Sequence, residues 1–310
     1  MNIQQLEYVV AVDELRHFVK AADKCCVTQP TLSMMLQKLE EELNLKIFDR
    51  TKHPIEPTAA GIEVISRARK ILGEVAQLKE FSRDLYEEVS GTIKIGVIPT
   101  LAPYLLPLFI EELISEYPGL KVIIKEMPTQ ALIESLKNNQ CDLGILATPL
   151  NESGLKEYPL FYEDFLAYSS SIKNFTSKNF VIPSQIDISQ LWLLEEGHCF
   201  RNQVLNFCEL KHKDLYKNRL EYEAGSIETL INLVDKNKGI TIVPYLATLN
   251  FSAEQKKKLR RFSNPQPVRE VSLVVNNNFA RFKILEAIKT EILAHTPTTP
   301  YEKGKTVVQL

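Results

Sequence analysis

The sequence predicts an α+β multidomain protein: an N-terminal winged helix-turn-helix, a long linker helix and a C-terminal α/β half. Three observations predict it. Residues 1–57 are helical in pattern and poor in glycine; residues 58–88 carry one uninterrupted apolar seam; from Gly91 onward, strand and helix patterns alternate.

At 310 residues the chain exceeds one ordinary core and has room for two or three modules. Hydrophobic residues make up 45% and charged residues 25%, a soluble globular composition rather than a disordered or fibrous one. MNIQQLEYVVAVDELRHF lacks a basic segment followed by an apolar run and cleavage site, and no stretch approaches a membrane span, so the expectation is a cytoplasmic protein with no membrane partner. Five cysteines are an odd, sparse set, unlike a secreted disulfide framework, so any disulfide is expected to be transient. The net charge of -2 excludes an obviously basic nucleic-acid binder on total charge alone.

In the first module, Leu6, Val9, Val10 and Phe18 carry an apolar face, and a short helix at about 18–24 holds Ala21 and Ala22. A turn at CCVTQP leads into TQPTLSMMLQKLEEEL, with Thr28 placed to cap the helix and Pro30 in its first turn. Two helices joined this tightly, the second with a polar N-terminal face, suit a helix-turn-helix. Cys25 and Cys26 have no neighbouring ligand set and are expected to pack. KIFDRTKHPIEPT then reads as a wing with Arg50, Lys52 and His53 at its tip and Pro54 and Pro57 as punctuation. Residues 1–58 hold seven basic against nine acidic side chains, yet Glu40, Glu41 and Glu42 cluster away from the start of the helix at Thr28, and the wing tip is locally basic.

A helix from Thr58 to about Glu88 repeats Val64, Ala68, Ile71, Val75, Leu78, Ser82 and Leu85 at spacings of four and three. Such a seam is expected to pair with a partner helix; lying on its own domain is the alternative. Beyond it, TIKIGVI, KVIIKEM and DLGILAT read as strands between the helices PYLLPLFIEELISEY and QALIESLKNN. SIETLINLVDKNKGITIVP gives a helix and strand, VREVSLVV a late strand and ARFKILEAIKTEIL a closing helix. The tail after His295 is expected to fray. Cys141, at the start of DLGILAT, reads as buried packing.

GHCFRNQVLNFC places Cys199 and Cys208 nine positions apart, with Phe200, Val204, Leu205 and Cys208 on one helical face. Cys199 then sits at a helix N-terminus beside His198 and Arg201, where the dipole and nearby charge are expected to lower its pKa. On a helix, nine residues rise about 13 Å, whereas a disulfide needs Cα atoms within about 7 Å. The sulfurs can join only if the helix unwinds. Spacing alone leaves core packing and a redox switch both open; two cysteines and one histidine match no zinc pattern.

AADKCCVTQPTLSMMLQKLEEELNLKIFDRT, with its AA-x(6)-TQPTLS core, its KLEEELN-x(3)-F-x-R run and the T-x(2)-G that begins the long helix, resembles the LysR-type transcriptional regulators. The resemblance covers nearly the whole chain. It implies a DNA-binding domain at 1–58, a linker or dimerisation helix at 59–90 with Val64, Ala68, Ile71, Val75 and Leu78 at the dimer seam, and a regulatory domain at 91–296. That domain is expected to be a periplasmic-binding-protein-like pair of α/β subdomains, lobe I at 91–163 and 268–296 and lobe II at 164–267, with a flexible tail at 297–310. The resemblance also implies Gln29, Pro30, Thr31 and Ser33 at base edges and phosphates of double-stranded promoter DNA, with Arg50 on the backbone. Where many relatives carry arginines, this chain has Met34, Met35 and Gln37.

IPTLAPYLLP, GHCFRNQVLNFC and the P-x-P-x-R of NPQPVRE are similar to the hydrogen peroxide sensors within that family. This implies Cys199 as the peroxidatic residue, Cys208 as the resolving one, and Thr100, Thr129, His198 and Arg269 around a peroxide pocket. By residue pattern alone, Thr100 and Thr129 could equally serve a turn or a cap. The resemblance further implies a regulator rather than an enzyme, without cofactor or metal, assembling as a dimer of dimers. Its implied partners are RNA polymerase and thiol reductants such as glutaredoxin or thioredoxin. The alternative is a regulator that responds to a small metabolite between its lobes, with non-redox cysteines.

Overall fold

A computed structural model of the chain describes residues 1–84, 89–170, 180–183, 186, 190–195, 199–208, 224–237, 239–297 and 304–309. The chain divides into two compact units, one of Met1–Glu87 with Lys137–Gln140 and Asn278–Arg281, the other of Glu88–Leu136, Cys141–Asn277 and Phe282–Leu310.

In the first unit, α1 (Ile3–Leu15) opens on a capping box in which the side chains of Asn2 and Gln5 each accept from the other's backbone N–H. Helix α2 (Phe18–Lys24) and α3 (Gln29–Leu43) follow, and the Thr28 hydroxyl accepts from the Thr31 N–H at 3.4 Å as the N-cap. Leu6, Val9, Val12, Ala21, Ala22, Leu32, Leu36 and Leu39 close one core between the three helices. Strands β1 (Phe48–Asp49) and β2 (Glu56–Pro57) pair antiparallel to form the wing.

Glu40 is more than a surface charge. It is 2% exposed and accepts from the Ile47 N–H at 2.8 Å and the Phe48 N–H at 3.4 Å, so its carboxylate holds the start of the wing. Lys46 and Arg50 approach its other oxygen at 3.3 and 3.4 Å, which supplies the counter-charge that a buried carboxylate requires. At the wing tip, Lys52 is paired with Glu56 at 2.5 Å, which offsets part of the local positive charge.

Helix α4 (Ala59–Asp84) begins where Gly61 lies so close to Ile47 that a Cβ would stand 1.9 Å from its carbonyl oxygen. That close approach explains the glycine of the T-x(2)-G pattern. The expected seam is corrected here. Ala68 is 1% exposed and sits with Ile65 in the unit's own helical core, with Val64 packed against it, whereas Ile71 and Leu78 are 38% and 72% exposed. The first turns of α4 are shared with the helix-turn-helix, so only the later part of the repeat is left for a partner.

The second unit starts with β3 (Gly91–Val97), α5 (Ala102–Glu116), β4 (Leu120–Glu126), α6 (Thr129–Lys137) and β5 (Leu143–Thr148). Strand β3 pairs parallel with β4 and β5, and β5 is buried throughout, as its apolar run LGILAT requires. A Cβ on Gly96 would stand 2.2 Å from Leu132, and one on Gly144 3.0 Å from Leu136. Helix α6 is thus seated in two glycine notches of the sheet, which places its first residue, Thr129.

Strand β6 (Leu155–Ser169) was not legible in the sequence, where Pro159 interrupts it. The proline stands opposite Ser272, beside the register shift in which Leu160 is the extra residue between the Phe161–Val271 and Pro159–Ser272 pairs, a bulge that accommodates its missing N–H. After β6 come β7 (Phe180–Val181), β8 (Leu191–Trp192), α7 (Cys199–Phe207), α8 (Ile227–Asn237), β9 (Ile240–Pro244), a 3-10 turn (Tyr245–Thr248), α9 (Ala253–Lys257), β10 (Leu259–Phe262), β11 (Gln266–Asn276), α10 (Phe282–His295) and β12 (Lys305–Val307).

Residues 155–164 of β6 pair antiparallel with β11, and residues 165–169 pair with β9. Strand β11 pairs antiparallel with β5 as well, so the sheets are mixed rather than purely parallel. Phe165, Phe200, Val204, Leu230, Val234, Ile242 and Phe262 form the core beneath α7 and α8.

The expectation of a frayed tail is overturned for residues 304–309. Strand β12 adds parallel to β11, with Gln266 opposite Lys305 and Val268 opposite Val307, and Val308 is 6% exposed. KTVV is a short β-branched run that fits a pleated edge, a signal outweighed in the sequence by its polar surroundings.

Candidate functional site

Cys199 is the first residue of α7, and Cys208 follows its last, with the Cys208 N–H donating to the Val204 carbonyl at 3.1 Å. Both thiols are free and buried, at 8% and 2% exposure. One continuous helix of this length separates their Cα atoms by about 13 Å, well beyond disulfide reach. The helix is held by its apolar face. Phe200 lies 5.2 Å from Phe165, and Phe207 lies 5.4 Å from Phe165 and 5.1 Å from Phe262.

Arg269, on β11, is completely buried. Its Nε donates to Glu163 Oε2 at 2.7 Å, Nη1 to the Thr100 hydroxyl at 2.9 Å and Nη2 to the Thr100 carbonyl at 3.1 Å. The second oxygen of Glu163 accepts from the Leu246 N–H at 2.7 Å. The guanidinium also lies 5.4 Å over the Phe200 ring, at the start of the helix that carries the thiols. Thr100 is thereby fixed by Arg269 in a buried loop rather than serving as a simple strand cap.

The Thr129 hydroxyl faces the Cys199 sulfur and acts to lower its pKa, together with the Arg269 charge and the backbone N–H groups of Phe200 and Cys199 itself. Burial is the larger influence and pushes the Cys199 thiol up from its usual value of 9.0. The expected lowering is therefore corrected: desolvation outweighs the groups that favour the thiolate. Burial also pushes the Cys208 thiol up to about 12. Arg201 is a second correction. Its Nη1 donates to the Leu194 carbonyl at 2.7 Å, and it is not among the groups that act on the thiol. His198 lies outside the described residues.

The Thr129 Oγ1 is buried without a closely aligned hydrogen-bond partner among the described residues. A buried hydroxyl facing a thiol keeps capacity to donate or accept a further hydrogen bond. Glu163 is the residue that sequence reading missed. Phe161, Glu163 and Phe165 alternate along β6 and are all buried, and an acid on the core face of a strand demands a buried cation.

The other candidate surface is the start of α3. Gln29, Pro30, Thr31 and Arg50 are exposed, and Ser33 is half-buried. Arg50 Nη1 donates to the Ser33 hydroxyl at 3.3 Å while its guanidinium lies 5.2 Å over the Phe18 ring, so the wing arginine is held beside the helix. Cys26 corrects the packing expectation: it is exposed, with φ at 55° in the turn after α2, while Cys25 is half-buried against the core. Cys141 is 3% exposed, beneath α6. Among the described residues no group of three His, Cys, Asp or Glu side chains could hold a metal ion, and no helix is long and apolar enough to cross a membrane.

Residues 3–62 match the bacterial regulatory helix-turn-helix proteins of the lysR family, and residues 86–296 match the LysR substrate binding domain. The chain is 37% identical over 88% of its length to the hydrogen peroxide-inducible genes activator of Haemophilus influenzae, covering 90% of that protein. It is also 37% identical, over 88% of its length and 89% of the relative, to the DNA-binding transcriptional dual regulator OxyR of Escherichia coli strain K12. Among solved structures, a full-length OxyR from Pseudomonas aeruginosa superposes with a TM-score of 0.80 at 29% identity, covering 96% of this chain and 100% of that one. Helix-turn-helix, long helix and mixed α/β half together are the architecture of one group of transcription regulators, and the chain belongs to that group, the LysR family.

Proposed function

We propose that this chain is a DNA-binding transcription activator that senses hydrogen peroxide through reversible joining of Cys199 and Cys208. The observation that carries the reading is the pair of buried, free thiols at the two ends of α7, the first facing Thr129 and Arg269. The relatives named hydrogen peroxide-inducible genes activator support the choice of oxidant.

In this reading the Cys199 thiolate attacks one peroxide oxygen, the O–O bond breaks, and hydroxide leaves to become water, giving a sulfenic acid. The Cys208 thiolate then attacks that sulfur and expels hydroxide, forming the disulfide. Thr100, Thr129, His198 and Arg269 surround the peroxide; Thr129 donates to or accepts from it, while Arg269 stabilises the negative charge on Cys199. A dithiol reductant such as glutaredoxin or thioredoxin returns two electrons and two protons. One peroxide is consumed per switch, so the protein is a stoichiometric sensor and not an enzyme.

Closure of the disulfide requires α7 to unwind, and the loss of its Phe200, Val204 and Phe207 packing against β6 and β10 repacks the core of residues 164–267. We assign residues 1–58 to DNA binding, with Gln29, Pro30, Thr31, Ser33 and Arg50 at the promoter duplex. Residues 59–90 are the linker through which two copies pair, with Ile71 and Leu78 exposed and Val75 half-buried along the seam of α4. Residues 91–163 with 268–296, and 164–267, are the two lobes of a cytoplasmic dimer of dimers that recruits RNA polymerase. The decisive experiment is Cys199→Ser with quantitative thiol labelling after one equivalent of peroxide, followed by promoter footprinting. Loss of both thiol consumption and the footprint change is expected; an unchanged footprint response rejects the redox reading in favour of a metabolite bound between the lobes.

A further inference from the structure

The docked tail touches the one helix that must melt for the two thiols to meet. Gln203, in the middle of α7 and completely buried, donates through Nε2 to the Val308 carbonyl at 3.1 Å. One turn on, Asn206 Nδ2 donates to the Gln309 carbonyl at 3.3 Å. The same tail is fastened to β11, the strand of Arg269: Gln266 N–H donates to the Gly304 carbonyl at 2.8 Å and Val308 N–H to the Val268 carbonyl at 2.9 Å. Lys305 pairs with Asp164 at 3.0 Å on the neighbouring strand, and Val308 belongs to the same buried cluster as Phe200, Val204 and Cys208.

We propose that residues 304–309 are a C-terminal strap that holds α7 helical and keeps Cys208 out of reach. The physical argument is one of shared partners. The Gln203 amide and the Val308 carbonyl are both buried, so unwinding α7 with the strap in place strands two polar groups that water cannot satisfy. The helix and the strap must therefore let go together, and every interaction of β12 with β11 is added to the cost of melting nine residues. Loosening the strap lowers that cost without touching either cysteine, and the strap thereby sets the readiness of the switch. The two Gln203 and Asn206 bonds are to main-chain carbonyls, so they register the presence and position of the tail more than its side chains; Val308 is the side chain that matters.

The proposal rests on the reading above only in taking Cys199 and Cys208 as the thiols that join; its test uses no peroxide. Reduced full-length protein, a chain ending at Pro297 and full-length Val308→Asp are treated with iodoacetamide, and modification at each cysteine is followed by mass spectrometry. The expected result is that Cys208 labels about tenfold faster or more in both variants, the factor set by releasing roughly one to two net hydrogen bonds, with Cys141 unchanged as the internal reference. Should the truncated chain fail to fold, Val308→Asp and the milder Val308→Ala carry the test. Cys208 labelling within about twofold of the parent in every folded variant overturns the strap, and so does an equal acceleration at Cys141, which would make the tail a support of the whole fold. A parent whose footprint ignores peroxide, but whose Cys208 is still released by loss of the tail, would sink the sensor reading and leave the strap standing.

Discussion

Arg269 and Glu163 form a wholly buried ion pair, with the guanidinium Nε and Nη2 each 2.7 Å from Glu163 Oε2. Neither side chain reaches solvent, and among the described residues each is the other's one ion-pair partner, in a site that also holds Thr100 and the Cys199 thiol. Charges so placed cost more to orphan than to remove together.

Arg269→Ala and Glu163→Gln are each expected to destabilise the reduced protein, the first by about 3–5 kcal/mol, because a buried carboxylate is left uncompensated. The double variant Arg269→Ala with Glu163→Gln should lose less than the sum of the two single losses. Urea unfolding of all forms measures this, and strict additivity would show that the pair is not coupled.

The reaction of Cys199 with iodoacetamide or peroxide should quicken as pH rises. Burial holds its pKa above 9.0, so at neutral pH the thiolate is the minor form and its population grows about tenfold per pH unit. Thr129→Val removes a hydroxyl that favours the thiolate, and should slow labelling at every pH below the pKa. A rate independent of pH between 6.5 and 8.5 would mean that Cys199 is already ionised in that range.

Cys208 makes stability fall in alkali. Its pKa rises from 9.0 in the unfolded chain to about 12 in the folded one, so the unfolded state loses its proton first. The stabilising contribution is complete below pH 9 and declines by up to about 1.4 kcal/mol per unit between 9 and 12. Comparing reduced parent with Cys208→Ala by urea unfolding across that range isolates the effect; parallel curves would place Cys208 in water.

Glu40→Ala should lower the melting temperature of the helix-turn-helix unit, costing about 1–3 kcal/mol, because the Ile47 and Phe48 N–H groups lose their acceptor. Promoter affinity should fall with it, since Arg50 then loses its ionic tether and is held beside the helix only by Ser33 and Phe18 among the described residues. Calorimetry and a DNA titration at one salt concentration test both; an unaltered transition would relegate Glu40 to the surface role that its neighbours Glu41 and Glu42 play.

The elements legible beforehand were those with short-range causes. Thr28 capping α3, Ala21 and Ala22 packing α2, the LGILAT run and the helical face of Phe200, Val204 and Leu205 all announce themselves within a turn or two of their own sequence. Strand β6 did not, because Pro159 breaks its pattern and its bulge exists only against β11. The seam of α4 was seen but misassigned at Ala68, since a heptad repeat does not say whether its partner is another chain or the chain's own α1.

By itself, then, the sequence determined a helix-turn-helix followed by an α/β half, and two thiols nine residues apart that a helix keeps from joining. Tertiary structure alone decided what surrounds those thiols. Glu163 comes to Arg269 across paired strands, Thr129 reaches Cys199 from a helix seated in glycine notches, and a tail about a hundred residues downstream closes over Gln203. The reason is physical: helix and cap follow from local spacing, whereas burial, which here raises the Cys199 pKa against the pull of its charged neighbour, depends on every segment that packs around it.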